Sequence, residues 1–99
     1  GARKLWIAFG LPAEGRIVVD EGAASALTSG GRSLLAVGIA TTDGTFDRGA
    51  AVEIVDSDGA LIAKGITRIA SADLDGHVGR HSDEVGGEVV HADDMVVLG

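Results

Sequence analysis

The sequence contains no cysteine, one proline and no tyrosine, and its aromatic residues are two Phe and one Trp. The absence of cysteine excludes disulfide frameworks, thiolate zinc sites and cysteine nucleophiles. Aromatic residues make up 3% of the 99 residues and hydrophobic residues 45%. Alanine and aliphatic side chains must therefore form the core of one small domain. Because the first residue is glycine rather than methionine, we expect the chain to be a piece of a longer protein.

Positive charge is also scarce. Lys and Arg total 8 against 15 Asp and Glu, which gives a net charge of −7. A protein that binds the phosphate backbone of nucleic acids carries a basic face, and docking on anionic lipid also needs clustered cations. The charge balance therefore disfavours RNA as a partner and excludes a membrane partner. No apolar run approaches the roughly 18 residues of a membrane span, and the lack of cysteine fits the reducing cytoplasm.

Short β-branched runs separated by turn residues predict a mainly β fold. The clearest local signal is Asp56–Gly59, an Asp-Gly turn between Ala51–Val55 and Leu61–Ile66. Two such runs around this turn predict an antiparallel hairpin. The segment between Gly38 and Gly44 is polar, and no strand is predicted there. Four further strands are predicted at Arg16–Val19, Ser33–Val37, Glu88–His91 and Met95–Leu98.

Helix signals occur at two places. Asp20 is predicted to cap an Ala-rich helix over Glu21–Ser29, because its carboxylate can accept from the free amides of the first turn. Gly30 and Gly31 should end this helix, since glycine adopts the left-handed conformation without penalty. Ser71 is predicted as the N-cap of a second short helix that runs through Leu74. Five or six short strands with one or two helices favour a small barrel or sandwich.

Catalytic motifs are missing from the sequence. There is no phosphate-binding glycine motif of either common type and no Gly-x-Ser-x-Gly nucleophile elbow. Ser33, Asp43 and Asp47 are a serine and two carboxylates, but nothing in their spacing orders them into a nucleophile with acid and base partners. We therefore predict no catalytic residue in this chain.

The three histidines offer a weak metal signal. His77 and His81 are four residues apart, so a helix would place them on one face, and nearby carboxylates could join them as ligands. Gly79 lies between them and weakens the helix that they would need. Surface histidines beside acidic neighbours are the favoured interpretation, a metal site is the alternative, and no metal ligand is predicted.

The basic and aromatic residues do not form a base-stacking pattern. Arg16, Arg32 and Arg80 could meet in a folded patch, but their spacing does not predict one. Trp6 and Phe9 are not interleaved with cations, as a base-stacking platform requires. We predict that these two aromatic side chains are packing anchors.

Six short motifs, in order, carry a resemblance to a known family. The chain resembles the C-terminal PUA domain of glutamate 5-kinase along essentially its whole length. The motifs are Ala2–Ile7, Val19–Ala23 with the following Ala26 and Leu27, Gly31–Ile39, Gly44–Gly49, the hairpin that ends at Ala63–Gly65, and Val89–Val96.

Three residues depart from the pattern of this family. Ala36 stands where the family often has proline, and Ala50 replaces the usual acid after Gly49. Ala92 takes a position that arginine often holds, which removes a positive charge from the closing strand. None of these departures argues against the fold.

The resemblance implies a mainly β, PUA-like pseudo-barrel of five or six short strands with one or two short flanking helices. It implies an interdomain segment over residues 1–12 and a PUA domain over residues 13–99. It also implies a parent enzyme that phosphorylates the γ-carboxyl of glutamate with ATP and Mg²⁺, the first step of proline biosynthesis. The residues for that chemistry belong to a kinase domain outside this chain, so no cofactor site is expected here.

Two functions follow from the resemblance as expectations. The first is a non-catalytic regulatory or assembly module that packs on the kinase domain or its homo-oligomer and biases feedback inhibition by proline, with Leu5, Trp6 and Ile7 as an apolar anchor. The alternative is an RNA-binding module. In PUA domains RNA lies against the first helix, the glycine-rich loop and the closing strand, which implies these RNA-facing residues: Gly30, Gly31, Arg32, Ser33 and His91.

Overall fold

The structure is a computed structural model, and it describes residues 2–75 and 88–98. The described part contains seven strands: β1 (Gly15–Val19), β2 (Leu34–Leu35), β3 (Ile39–Asp43), β4 (Ala51–Val55), β5 (Leu61–Ile66), β6 (Glu88–Val90) and β7 (Met95–Val97). Five of them form one sheet in the order β3-β1-β4-β5-β7, and β2 pairs with β6 in a second, small sheet. All neighbouring strands are antiparallel except β1 and β4, which are parallel. The predicted mainly β fold is confirmed.

Three α-helices accompany the strands: α1 (Ala2–Leu5), α2 (Glu21–Thr28) and α3 (Ser71–Asp75). Helix α1 continues directly into one turn of π-helix over Trp6–Gly10, and short 3₁₀ turns span Ala36–Gly38 and Ala92–Asp94. None of the helices in the described part of the chain is long and apolar enough to cross a bilayer.

Helix α2 begins and ends as its sequence predicts. The Oδ1 atom of Asp20 accepts a hydrogen bond from the backbone N–H of Ala23 at 2.7 Å, which satisfies one of the free donors of the first turn. At the other end Gly30 and Gly31 have φ of +88° and +73°, a conformation that favours glycine. Leu27 is the buried residue of α2, and its side chain packs in the core.

The β4–β5 hairpin also forms where the Asp-Gly turn predicts it. The carboxylate of Asp56 accepts from the backbone N–H groups of Asp58 and Ala60, each at 2.9 Å. Gly59 takes a φ of +85° to complete the turn. These bonds fix the register of the two strands, with Glu53 opposite Lys64.

Two strand predictions were wrong in detail. Within the predicted strand Ser33–Val37, only Leu34 and Leu35 pair in a sheet, and the chain then enters a 3₁₀ turn. The polar segment after Gly38, where no strand was predicted, is β3, paired with β1. Strand β3 lies at the edge of the main sheet, where an exposed face tolerates polar residues, so its sequence lacks the apolar pattern of a buried strand.

The core lies between the main sheet, the small sheet and the buried faces of α2 and α3. It is built mainly from aliphatic side chains, as the composition requires, together with Phe46 and Met95. Its largest fully buried members are Ile17, Val19, Leu27, Leu34, Val52, Ile54, Leu74, Val89 and Val90. Gly65 of β5 permits a close approach of the closing segment to the sheet. A methyl group there would lie 2.6 Å from Val90 Cγ1 and 2.8 Å from the carbonyl oxygen of Asp94.

Helix α3 forms at the predicted place, but the prediction that Ser71 is its N-cap is wrong, because Ser71 is the first helical residue and its hydroxyl bonds to another segment. The hydroxyl of Ser71 accepts from the backbone N–H of Phe46 at 3.0 Å and donates to the carbonyl of Phe46 at 3.2 Å. This buried pair of bonds ties α3 to the loop that precedes β4, and it holds the Phe46 ring in the core.

Candidate functional site

The glycine loop that follows α2 (residues 30–33) lies beside the last described segment of the chain (residues 88–98), which we call the closing segment. Ser33 Oγ accepts a hydrogen bond from the backbone N–H of Ala92 at 2.8 Å. Because Ala92 begins the 3₁₀ turn that leads into β7, this one bond joins two segments that are far apart in the sequence. Ser33 was predicted to face a ligand, and the structure gives its hydroxyl this tie to the closing turn.

A surface groove of about 380 Å³ lies between this loop, β7 and helix α1. We call it the Lys4–Arg32 groove. Its walls outside β7 are formed by Lys4, Gly30, Gly31, Arg32, Ala92 and Asp93. At Gly30 and Gly31 no heavy atom lies within 4 Å of the position that a Cβ would take, so the backbone of the loop is open to an approaching ligand.

His91, the last of the predicted ligand-facing residues, does not line this groove. Its Nδ1 accepts from the backbone N–H of Asp93 at 3.0 Å, and its Nε2 lies 3.8 Å from Oε1 of Glu88. The imidazole therefore shapes the 3₁₀ turn. The structure brings Gly30, Gly31 and Arg32 together in the groove and places His91 apart from it.

Most basic side chains of the described residues are engaged by carboxylates or carbonyls. Arg3, Arg16 and Arg68 pair with acids, at Asp94 (2.5 Å), Glu53 (3.2 Å) and Glu88 (3.7 Å). Arg16 lines a separate depression beside Asp43 and Glu53, so it does not join Arg32 in a patch, and Arg80 lies outside the described residues.

The remaining basic residues include two that lie together. Lys4, Arg32 and Arg48 form no ion pair with any other residue of the described ranges. Lys4 and Arg32 both line the groove. Sequence reasoning missed Lys4 as a site residue because its place beside the loop depends on the packing of α1 against β7, a contact between opposite ends of the chain. No local sequence pattern signals that contact.

A second depression, of about 300 Å³, opens on the other side of the same loop. We call it the α2 cleft. It lies between α2 and the 3₁₀ turn after β2, and its walls are largely apolar, with Ala26, Leu27, Leu35 and Val37 among them. Arg32 stands at the boundary and lines both depressions.

The N-terminal helical segment exposes large apolar side chains. Trp6 is 56% exposed and Phe9 81% exposed, and Leu5 is also exposed. The prediction that Trp6 and Phe9 are packing anchors is wrong within this domain, because Ile7 takes the inward position and is fully buried. We call Leu5, Trp6 and Phe9 the aromatic face.

This segment is nevertheless held firmly on the sheet. The Nζ atom of Lys64 on β5 donates to the carbonyl oxygens of Ala8, at 3.4 Å, and Leu11. The indole ring of Trp6 lies directly against Gly10, where a methyl group would meet Cδ1 at 2.5 Å. The aromatic face is therefore exposed on a turn whose backbone is hydrogen-bonded to β5.

Within residues 2–75 and 88–98 no three His, Asp or Glu side chains are grouped to hold a metal ion. His77 and His81, the weak metal candidates, lie outside the described residues. Ser33 has its bond to Ala92, and it lines a depression different from that of Asp43.

Comparison with known proteins decides the family. Residues 15–89 match the family described as PUA domain. The chain belongs to the PUA domain family. Strands β1 to β5, α2 and the loop that follows α2 fall inside the match, β6 crosses its end, and β7 lies beyond it. The PUA-like fold predicted by resemblance is confirmed.

The curated relatives of this PUA domain are longer proteins. A glutamate 5-kinase of Shewanella woodyi is 47% identical over 105 aligned residues, which cover 98% of this chain and 28% of the relative. A glutamate 5-kinase of Syntrophotalea carbinolica is 44% identical, with 97% of this chain and 28% of the relative covered. The PUA domain thus spans about a quarter of such a relative, in its C-terminal region.

Solved structures give the same fold. A PUA domain from Aeropyrum pernix K1, crystallised as a tartrate complex, superposes with a TM-score of 0.63 at 28% identity over 88% of this chain and 48% of that one. The archaeal box H/ACA sRNP Nop10–Cbf5 complex contains a chain that superposes with a TM-score of 0.60 over 85% of this chain and 23% of that one. At 18% identity the second likeness shows the fold alone.

Proposed function

We propose that this PUA domain is a non-catalytic docking and regulatory module of a longer chain of the glutamate 5-kinase type. In such a parent a separate kinase domain would phosphorylate the γ-carboxyl of glutamate with ATP and Mg²⁺, in the cytoplasm, as the first step of proline biosynthesis. The similarity to glutamate 5-kinases over nearly the whole chain supports this parent. The PUA domain would act on its assembly or on its feedback inhibition by proline.

The aromatic face is the observation that carries the docking role. Large exposed apolar patches mark interaction sites, and ordered aromatic residues dominate the binding free energy of interfaces. Trp6 and Phe9 are exposed, while Ile7 and the Lys64 hydrogen bonds fix the segment beneath them. The aromatic face also lies at the end of the domain that meets the rest of the chain in a C-terminal PUA arrangement.

The test uses the full-length parent enzyme with Phe9→Ser. Phe9 is the most exposed large apolar side chain among the described residues, so this change leaves the domain folded. We expect assembly, measured by light scattering, to weaken by about tenfold or more, or proline inhibition to shift, because an interface aromatic costs about 1–2 kcal/mol or more when removed. Val37→Ser is the matched control, since Val37 is 47% exposed but belongs to the α2 cleft. Unchanged assembly and proline inhibition in Phe9→Ser would refute the docking role.

RNA binding is a second candidate function, and the Lys4–Arg32 groove favours it. Binding of a phosphate backbone needs cations that displace condensed counterions, and this groove holds two cations without an acidic partner among the described residues. The net charge of −7 limits such binding to this local site.

Titration of the parent with structured RNA at low and moderate salt tests the second candidate. We expect salt-sensitive binding that Arg32→Gln weakens, because the attraction between exposed charges is strongest at low ionic strength. Arg48→Gln removes the same charge away from the groove and serves as the control. Absence of binding at low salt would eliminate the RNA function and leave the docking function in place.

A further inference from the structure

The exposed apolar surface at the aromatic face continues onto the main sheet. The Nζ atom of Lys64 donates to the carbonyls of Ala8 and Leu11, so the N-terminal segment lies over the face of the sheet from which Lys64 projects. Leu61, at the start of β5, is 41% exposed, and Leu98, just after β7, is 42% exposed. The register of the strands decides whether these two leucines lie on the same face.

The pairing of β4 with β5 places Leu61 on the face of Lys64. Side chains directly opposite each other in an antiparallel pair project to the same side, and side chains alternate along each strand. Glu53 lies opposite Lys64. A register shift after Ile54 places Val55 opposite Leu61. Because Glu53 and Val55 are two residues apart on β4, Leu61 projects to the same side as Lys64.

The pairing of β5 with β7 brings Leu98 to this face as well. Val96 lies opposite Lys64, and Leu98 follows Val96 by two residues. The N–H of Leu98 donates to the carbonyl of Ile62 at 2.7 Å, so the ladder continues to this residue. We call the aromatic face, Leu61 and Leu98 together the extended apolar face. It holds five of the eight exposed large hydrophobic side chains of the described residues, and such a concentration marks an interaction site.

In a parent of the glutamate 5-kinase type, the preceding part of the chain joins this domain beside the extended apolar face. The domain spans 28% of such a relative, in its C-terminal region, so most of the relative precedes it. Leu5 lies three residues after Ala2 in α1, which is about 5 Å along a helix axis. Buried Ile7 and the hydrogen bonds of Lys64 hold this segment on the sheet. A preceding domain therefore starts next to the face.

Tethering and charge both favour this preceding domain over a second copy of the chain as the occupant. A domain joined by a short linker is present at an effective concentration in the millimolar range, which a second chain in solution does not reach. Each copy of the PUA domain also carries a net charge of −7, so two copies repel each other.

We propose that the extended apolar face is covered, in the parent, by the domain that precedes it in the same chain. Leu61 and Leu98 then contact that domain together with the aromatic face, so the sheet contributes to the interface as well as the N-terminal segment. This inference rests on the docking role proposed above and specifies the partner of that role. The N-terminal segment is then a fixed connection between two packed domains.

Photocrosslinking in the full-length parent tests which surface covers the face. The photoreactive amino acid p-benzoylphenylalanine replaces Phe9, which keeps an aromatic ring at a position that is 81% exposed. Irradiation joins the probe to a C–H bond of whatever lies against it. We expect a product with the mass of one chain in a denaturing gel, in which mass spectrometry finds position 9 joined to a peptide of the preceding domain.

Two further probe positions form a matched pair. Leu61 and Leu35 are 41% and 38% exposed, but Leu35 belongs to the α2 cleft. The probe at Leu61 should give the same link to the preceding domain as the probe at Phe9. The probe at Leu35 should not give this link, and equal linking from Leu35 would refute the assignment of the interface to the extended apolar face.

The remaining outcomes separate this inference from the docking role beneath it. A product with the mass of two chains would show that a second chain covers the face, which refutes the proposed occupant and leaves docking in place. A link from Phe9 without one from Leu61 would refute the contribution of the sheet. If neither probe links outside the PUA domain, the inference is refuted, and assembly and proline inhibition of Phe9→Ser then decide whether the docking role fails with it.

Discussion

The two depressions beside the Gly30–Ser33 loop are built in different ways. The walls of the α2 cleft come from one continuous stretch, residues 20–38, and are mostly apolar. Those of the Lys4–Arg32 groove come from three stretches that are far apart in the sequence, and they carry charge. The difference shows that a local stretch can form an apolar cleft by itself, whereas the charged groove exists only after the N-terminal and closing segments have been brought to the loop.

The largest expected effect is a loss of stability when a buried residue of the α2 cleft is truncated. Leu27→Ala should lower the free energy of unfolding by about 2–5 kcal/mol, the range for truncating a buried leucine, because Leu27 is fully packed in the core. Urea unfolding of the 99-residue chain measures it. Leu35→Ala, at an exposed position (38%) of the same cleft, should cost less than about 1 kcal/mol. Equal losses in the two variants would show that the cleft is not organised around Leu27.

Ser33→Ala tests the bond that joins the two depressions, because Ser33 lines the α2 cleft and its partner Ala92 lines the groove. The change removes the acceptor of the Ala92 N–H, and a part-buried donor left unpaired costs about 1–3 kcal/mol. We expect the Ala92 amide to exchange with solvent at least tenfold faster in NMR experiments, while the Ala23 amide, bonded to Asp20, keeps its rate.

Ser25→Ala, at an exposed serine of α2, is the control for Ser33→Ala and should leave the exchange of Ala92 unchanged. Equal acceleration at Ala92 and Ala23 in Ser33→Ala would mean that the groove and the cleft open as one unit. The contrast between them would then be lost.

The smallest expected effect comes from the ion pair that seats α1. Arg3→Gln should lower the free energy of unfolding by about 0.2–1 kcal/mol, the range for exposed pairs, because the Arg3 side chain is 64% exposed. The effect should fade as salt screens the pair, and Asp94→Asn should add little to it in the double variant. A loss that persists at high salt would mean that Arg3 stabilises α1 by packing instead of charge.

Local chemistry explains which parts of the fold the sequence could predict. The Asp20 cap, the two glycines after α2 and the Asp56–Gly59 turn act on neighbouring residues, so their elements appear where expected. Strand β3 was missed because an edge strand with polar residues has no buried pattern to detect.

The candidate site was predictable only in part, for a related reason. The glycine loop was identified through the family motif around Gly31 and Arg32, and it lines the groove. The contribution of Lys4 depends on the packing of α1 on β7, a contact between opposite ends of the chain. The exposure of Trp6 and Phe9 depends on which residue of the N-terminal turn faces inward, and the short turn gave no periodicity that would select Ile7.

The parallel pairing of β1 with β4 has a consequence for how fast the domain folds. Helix α2, β2 and β3 all lie between these two central strands, so the pair can form only after a long loop has closed. The β4–β5 hairpin needs no such closure, and we expect it to form first and to serve as the template for β1. Domains dominated by pairings of this range fold in milliseconds to seconds instead of microseconds. During synthesis of a longer parent, this domain would therefore reach its native state slowly, after its last strand has emerged.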